Sequence, residues 1–248
     1  MSRKYDSKTT TFTPEGRLLQ VEYAIESINK RAPTMGMITK EGVILAAKKQ
    51  TVSKLLEQEK QSEKMYILSD HLLCAATGLS SDADLLIDYV RLEGEKHFYQ
   101  FKEPIPIEQL VQQVSDYKHT YTQYGSLRPM GISFLFAGYD CYNGYQLYCT
   151  DPSGNYTAWK AHVIGSNSIN GINLLKEEYE EEISLEEGLK LTLKVLCKTL
   201  ETTNPKPEEF ELVSVSRKGE EVVIKSYSEA EIKTLLDNAK LTMVAPNK

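Results

Sequence analysis

Groups able to attack a substrate, pass a proton or hold a metal are present in this chain, but they are scattered. The four histidines stand at 71, 97, 119 and 162, without the mutual spacing or flanking carboxylates of a metal site, so packing in core or surface is their expected role. The cysteines Cys74, Cys141, Cys149 and Cys197 show neither paired metal spacing nor a disulfide framework. If Asn143-Gly144 forms a two-residue hairpin turn, Cys141 faces Gln146 and Cys149 faces Gly138, so these two thiols are not cross-strand partners. Reduced, structural cysteines are expected. Asp82-x-Asp84 with Asp88 gathers carboxylates, yet acidic residues at a helix start are favoured by the dipole alone. The run Glu177, Glu178, Glu180, Glu181 and Glu182 reads as a solvated helix end, with a docking surface as the sharper alternative. Asn155-Tyr156-Thr157 fits a glycosylation sequon but falls in a segment that reads as a strand. Neither a metal nor a cofactor is expected.

The elements that must position such groups begin with a helix expected over residues 14–30. Pro14 sets up its entry, Glu15 sits near the positive end of its dipole, and Leu18, Val21, Ile25 and Ile28 fall within an arc of about 80°. That stripe faces the core. Leu19 and Tyr23, with Glu26, point about 100° away and leave a second, partly apolar side for a neighbouring chain to cover. Strands are expected at 35–39 and 43–49 around Lys40-Glu41-Gly42, and at 65–68 and 72–77 around Ser69-Asp70-His71. A helix follows from about Ser81, with Leu85, Leu86, Tyr89 and Leu92 on one side, and another from about Pro106, with Ile107, Leu110, Val111, Val114, Tyr117 and Tyr121 on one side. Residues 131–164 supply three strands, separated by Asn143-Gly144 and by Asp151-Pro152-Ser153-Gly154. Helices return at 167–181 and 184–201, the second stopped by Asn204-Pro205-Lys206-Pro207. A hairpin across 217–220 and a helix at 228–240 close the chain. Hairpins then a helix pair, twice over, predict an α+β fold of antiparallel sheets covered by segregated helix layers.

With 248 residues, 41% hydrophobic and 26% charged, and no linker, the composition fits a single domain over 1–248. A net charge of −6 with dispersed basic residues lacks the footprint of a nucleic-acid binder. No apolar run approaches membrane-spanning length, and the start, Ser2-Arg3-Lys4, is polar and basic without a signal-peptide core. No nucleic-acid or membrane partner is expected, and a soluble intracellular chain is.

Four segments are more specific. They are Tyr5-Asp6 running into Phe12-Thr13-Pro14-Glu15-Gly16-Arg17-Leu18-Leu19-Gln20-Val21-Glu22-Tyr23-Ala24; Ser62-Glu63-Lys64; Tyr121 through Gly125-Ser126-Leu127-Arg128-Pro129-Met130-Gly131 to Ser133; and Asp151-Pro152-Ser153-Gly154-Asn155-Tyr156 through Trp159 to Gly165. Together they resemble the α-type subunits of the proteasome core particle over nearly the whole chain. That resemblance implies a four-layer αββα sandwich, two antiparallel sheets between helix layers, of the N-terminal-nucleophile hydrolase kind with an added N-terminal helix. The related catalytic β-type subunits attack with a terminal threonine whose own amine helps as base. Counting back from Gly36 puts Ala32 at that position with thirty-one residues still attached, so neither hydroxyl nor free amine is there. Thr34 is the nearest hydroxyl and is also internal; Lys48 replaces the acidic partner; Lys64 aligns with the catalytic lysine. No catalytic residue is expected.

The resemblance further implies a ring of seven α chains stacked on a β ring, with tails that close an axial pore. Residues 1–12 correspond to the gating tail, and Tyr5, Asp6, Pro14 and Tyr23 to the cluster that holds tails open. Glu22, Lys64, Gly78 and Leu79 match a pocket between neighbouring α chains that receives activator C-terminal tails, including those of regulatory-particle ATPases. A lysine ammonium can pair with a terminal carboxylate, and glycine lets a backbone approach closely. Ubiquitin-dependent degradation in cytoplasm and nucleus is the implied setting. Departures exist: Ser7 for arginine, Thr13 for serine, Lys30-Arg31-Ala32-Pro33-Thr34 without a glycine, and Ser126 for a second glycine. An independent N-terminal-nucleophile hydrolase of the same fold is the alternative, for which Ser2 would serve once Met1 is removed, although nothing in a polar tail would hold it against a substrate.

Overall fold

The computed structural model describes residues 8–49, 64–125, 127–201 and 205–243. The chain runs α1 (Leu19–Ile28), β1 (Thr34–Thr39), β2 (Gly42–Lys48), β3 (Met65–Ser69), β4 (Leu72–Gly78), α2 (Ser80–Phe101) and α3 (Ile107–Gln123). It continues through β5 (Ile132–Asp140), β6 (Gly144–Thr150), β7 (Tyr156–Ala158), β8 (Ala161–Ile164), α4 (Ser168–Glu178) and α5 (Leu185–Thr199), then closes with β9 (Phe210–Lys218), β10 (Glu221–Ser226) and α6 (Glu229–Met243). Two antiparallel five-stranded sheets form, ordered β10-β9-β2-β1-β8 and β3-β4-β5-β6-β7. Helices α2 and α3 cover the second sheet; α4, α5 and α6 cover the first. The expected four-layer αββα sandwich is what forms.

Strand composition explains the stacking. In β2 and β4 almost every side chain is buried, because each strand packs a helix layer on one face and the opposite sheet on the other. Val43, Leu45, Leu73, Ala75, Leu135 and Leu147 fill the space between the sheets, whereas Ile44 and Ala46, or Leu72, Cys74, Phe134 and Phe136, face helices. Each fully buried Val, Leu or Phe contributes about 1.5–3 kcal/mol. Gly36 keeps the sheets close: a β-carbon there would stand 2.6 Å from Leu147 Cδ1.

Several expectations are corrected. The first helix spans Leu19–Ile28, not 14–30, because residues 13–17 close a turn: the Gly16 amide donates to the Thr13 carbonyl at 2.9 Å, the Thr13 amide to that of Arg17 at 2.9 Å, and Gly16 holds φ +77. The buried face of α2 is Ala83, Leu86, Ile87 and Val90, leaving Leu85 and Leu92 half-exposed, since the helix carries two apolar stripes and the sheet selects the one with alanine. The β5–β6 loop holds Cys141, Tyr142 and Asn143, so Asp140 pairs with Gly144 and Cys149 faces Leu135, not Gly138. Residues 131–164 give four strands, not three. The Trp159 amide still donates to Leu147 in one sheet at 2.9 Å while the Lys160 carbonyl accepts from Ile38 in the other at 2.8 Å, so the chain changes sheets within one peptide step. Helix α5 ends at Thr199, before the proline-rich stop, because Glu201 turns left-handed at φ 52.

Candidate functional site

Of the residues expected in the tail cluster, Tyr5 and Asp6 lie outside the described residues; Pro14 and Tyr23 are both exposed on the same N-terminal segment. Tyr23 is 43% exposed on the side of α1 that faces away from Val21 and Ile28, as the helical spacing requires. Thr13 anchors the turn beneath Pro14, its hydroxyl accepting from the Arg17 amide at 3.2 Å. Arg17 then reaches forward and clamps Glu22 with both guanidinium arms, one at 2.7 Å. That hydrogen-bonded pairing holds the Glu22 carboxyl below the usual carboxylate range. Glu22 therefore pairs across the entry of α1, a contact that sequence reading missed.

Ala32 sits just ahead of β1, and the Lys64 ammonium donates to its carbonyl at 2.8 Å. The ammonium of Lys64 thus engages a peptide carbonyl. Thr34 opens β1 fully buried, its hydroxyl accepting from Thr77 at 2.8 Å. Lys48 lies 3.8 Å from Glu209, so the acid expected in a catalytic relative is replaced by a cation that pairs elsewhere. A cleft of about 770 Å³ opens beside Ala32, lined by Lys30, Arg31, Lys48, Lys49 and Ser166 among others. Its walls carry four cations against Glu209, a surface suited to a carboxylate.

Gly78 and Leu79 form the corner between β4 and α2. Gly78 holds φ +145, and a β-carbon on it would fall 2.1 Å from the Gly131 carbonyl oxygen, so only glycine fits. The Leu79 amide donates to that same oxygen at 2.9 Å. Lys64 directly precedes β3, the strand next to this corner's own strand, and its carbonyl accepts from the Ala76 amide at 2.8 Å. The structure thereby brings Lys64, Ala32 and the Gly78 end of β4 to one end of the sandwich, with α1 packed across β4 and β5.

Asp82 is the larger omission of the sequence reading. It is not a free dipole partner: Arg128 grips both its oxygens at 2.8 Å, and the Gly131 amide donates to it at 2.8 Å. The Arg128 hydrogen bonds hold its carboxyl below the usual range. Three glutamates of the acidic run pair within the chain: Lys194 with Glu178 at 2.7 Å, Lys160 with Glu181, and Lys40 with Glu182 at 3.0 Å.

Comparison with known proteins places these features in a wider set. Residues 29–215 match the family model of proteasome subunits, and residues 5–26 match the model of the N-terminal signature of A-type proteasome subunits. The chain is 46% identical to the alpha type-4 proteasome subunit of Dictyostelium discoideum, covering 97% of each. It is 46% identical to a probable alpha type-3 proteasome subunit of Schizosaccharomyces pombe, covering 98% of each. To the alpha type-4-A proteasome subunit of Arabidopsis thaliana it is 48% identical, over 87% of this chain and 86% of that one.

Proposed function

We propose, from the premise that this chain belongs to the α-type branch of the proteasome subunit family, that it is a ring subunit of the core particle which admits substrates and does not cut them. One observation carries the reading. Where a nucleophile would stand, Ala32 offers a methyl group inside a continuous chain, and Lys64 is committed to its carbonyl. The nearest hydroxyl, Thr34, is internal and buried.

Neighbouring α chains cover the Tyr23 side of α1, and a β ring is stacked beneath. The tail, residues 1–12, helps close the pore, with Tyr5, Asp6, Pro14 and Tyr23 exchanging hydrogen bonds or fixing bends between adjacent tails. Activator tails, those of regulatory-particle ATPases among them, enter beside Glu22, Lys64, Gly78 and Leu79. The cationic cleft next to Ala32, whose carbonyl Lys64 holds, supports that assignment, because such a cleft favours a terminal carboxylate. The setting is ubiquitin-dependent protein degradation in cytoplasm and nucleus.

Removing Ser2 to Lys8 tests the gate. Particles carrying the shortened chain should hydrolyse small fluorogenic peptides faster than intact ones before any activator is added, with an unchanged rate once fully activated. Equal basal rates would end the gating assignment. Native mass measurement of the assembly should show one copy of this chain per seven-membered ring, whereas a lone, hydrolytically active particle would favour an independent hydrolase.

A further inference from the structure

Between the two sheets the side chains are mostly aliphatic, with Val43, Leu45, Leu73 and Leu135 among those that fill the layer. Beneath α1 the composition changes. There β5 turns Ser133 inward, two residues before Leu135 and on the same face. Strand β8 turns His162 inward as well, because it is paired in register with Gly36, where a β-carbon would meet Leu147. A pocket of about 260 Å³ opens at this point, bounded by Ile28 of α1 and lined by Ser133, Asp151, Thr157, Trp159 and His162 among others. Its polar groups lack partners within the chain. Among the described residues nothing hydrogen-bonds the hydroxyl of Ser133, a residue only 5% exposed, or that of Thr157 at the exposed rim. His162 Nδ1 is buried and unpaired, and burial pushes the pKa of the ring down to about 4, so it is neutral at pH 7. Asp151 spends Oδ1 on its own turn, accepting from the Ser153 amide at 2.8 Å and from the Ser153 hydroxyl. Its Oδ2 has no hydrogen bond and the carboxylate no ion pair among the described residues. Lys118, the buried amine of α3, donates instead to the Ile132 carbonyl and the Thr150 hydroxyl. Trp159 stacks on His162 with ring centroids 4.1 Å apart and 16° between the planes.

We propose that this pocket is a binding site for a small planar organic cation of the amidinium or guanidinium type, with its charge on Asp151 and its plane against the Trp159–His162 pair. Buried polar groups in folded chains are nearly always hydrogen-bonded, and here two hydroxyls, a neutral imidazole and a carboxylate oxygen converge on one small space. Each of them can accept an N–H, which is what a cation of this type offers on several sides. Its charge makes the hydrogen bond to Asp151 a strong one, and an aromatic wall attracts both a cation and a flat ring. An anion would meet the Asp151 carboxylate, and a hydrocarbon would leave Ser133 and His162 without partners. The volume suits a single-ring molecule, not a length of chain. The site needs neither the tail nor the ring of the proposed function.

The full chain carries a single tryptophan, so its indole fluorescence reports on this pocket. The probe is benzamidine, an amidinium on one flat ring. Titrated into the full chain, it should change Trp159 emission saturably with a Kd below about 1 mM. Benzamide, which has the same shape without the charge, should bind about ten-fold more weakly or less well still. Asp151→Asn keeps an acceptor for the Ser153 amide; it should weaken benzamidine about ten-fold or more and leave benzamide as it was. The proposal is overturned by the absence of a saturable change, by equal affinity for the two probes, or by full benzamidine affinity in Asp151→Asn. Should the Asp151→Asn chain fail to fold, nuclear Overhauser contacts in the unaltered chain decide its place: cross-peaks between the benzamidine ring protons and the Trp159 indole uphold the site, and their absence at saturating probe overturns it.

Discussion

Lys118 on α3 is fully buried, and sequence alone gives no reason to place a lysine there. Its Nζ donates to the Ile132 carbonyl at 3.0 Å and to the Thr150 hydroxyl at 2.9 Å, two acceptors that match the two protons of a neutral amine. Burial pushes its pKa down to about 7, with no carboxylate in hydrogen-bonding contact to restore the charge. Because the folded value lies below the unfolded one, the unfolded chain binds more protons between about pH 7 and about pH 10.5, so this residue contributes stability that grows as pH rises through that window. Cys149, pushed up to about 12 by burial, works in the opposite direction above the ordinary thiol range. The lysine's share is therefore isolated by difference. Relative to Lys118→Met, the parent chain should gain in melting temperature steadily from pH 7 to pH 10; a difference independent of pH would show that the amine is charged in the fold.

Elements obey their local chemistry where one face is forced, and depart where two faces compete. Helix α5 illustrates the first case: Ser184 caps it, its hydroxyl accepting from the Glu187 amide at 3.3 Å and donating to the Glu187 carboxylate at 2.8 Å. Without that cap, Ser184→Ala should cost about 1 kcal/mol in denaturant unfolding. Helix α2 illustrates the second. Its sequence offers Leu85-Leu92 on one side and Ala83-Leu86-Ile87-Val90 on another, and periodicity cannot choose between stripes of similar apolar content. The structure buries the second, so Leu86→Ala should cost about 2–5 kcal/mol, whereas Leu92→Ala should cost under about 1 kcal/mol. Reversed costs would show the helix rotated by a third of a turn. The hairpins and their alternation with helix pairs were legible because their signals are local: alternation, apolar periodicity, Gly and Pro punctuation. The step of Trp159 and Lys160 from one sheet to the other, and the Asp82–Arg128 pair 46 residues apart, were not, since both depend on which surfaces meet in space. Of the candidate site, Gly78 was expected to admit an activator peptide, whereas the close approach the structure shows there is the chain's own Gly131 carbonyl. The commitment of Glu22 to Arg17 was not legible, because two exposed charges name no partner until the turn at Gly16 aims them.

At the scale of the whole molecule, the proposal that this chain does not cut rests on what a terminal nucleophile would require of its sandwich. A terminal threonine needs its amine free beside its hydroxyl. Creating one at Thr34 would require a cut after Pro33, which would detach α1 together with Val21 and Ile28, both buried against the sheets. The new terminus would also lie at a residue with no exposed surface, its hydroxyl already engaged by Thr77. Ser2 escapes these objections but belongs to a tail, and effective catalysis asks for reacting groups held within about 3–3.5 Å. The consequence is measurable on the intact assembly. Treated with an electrophile that captures a hydroxyl and adjacent amine at a chain terminus, threonine-terminal subunits should gain the mass of one reagent each, while this chain keeps its own. A single adduct mapped to Thr34 or Ser2 would make it a cutter after all, and would require the Ala32–Lys64 contact to be remodelled on assembly.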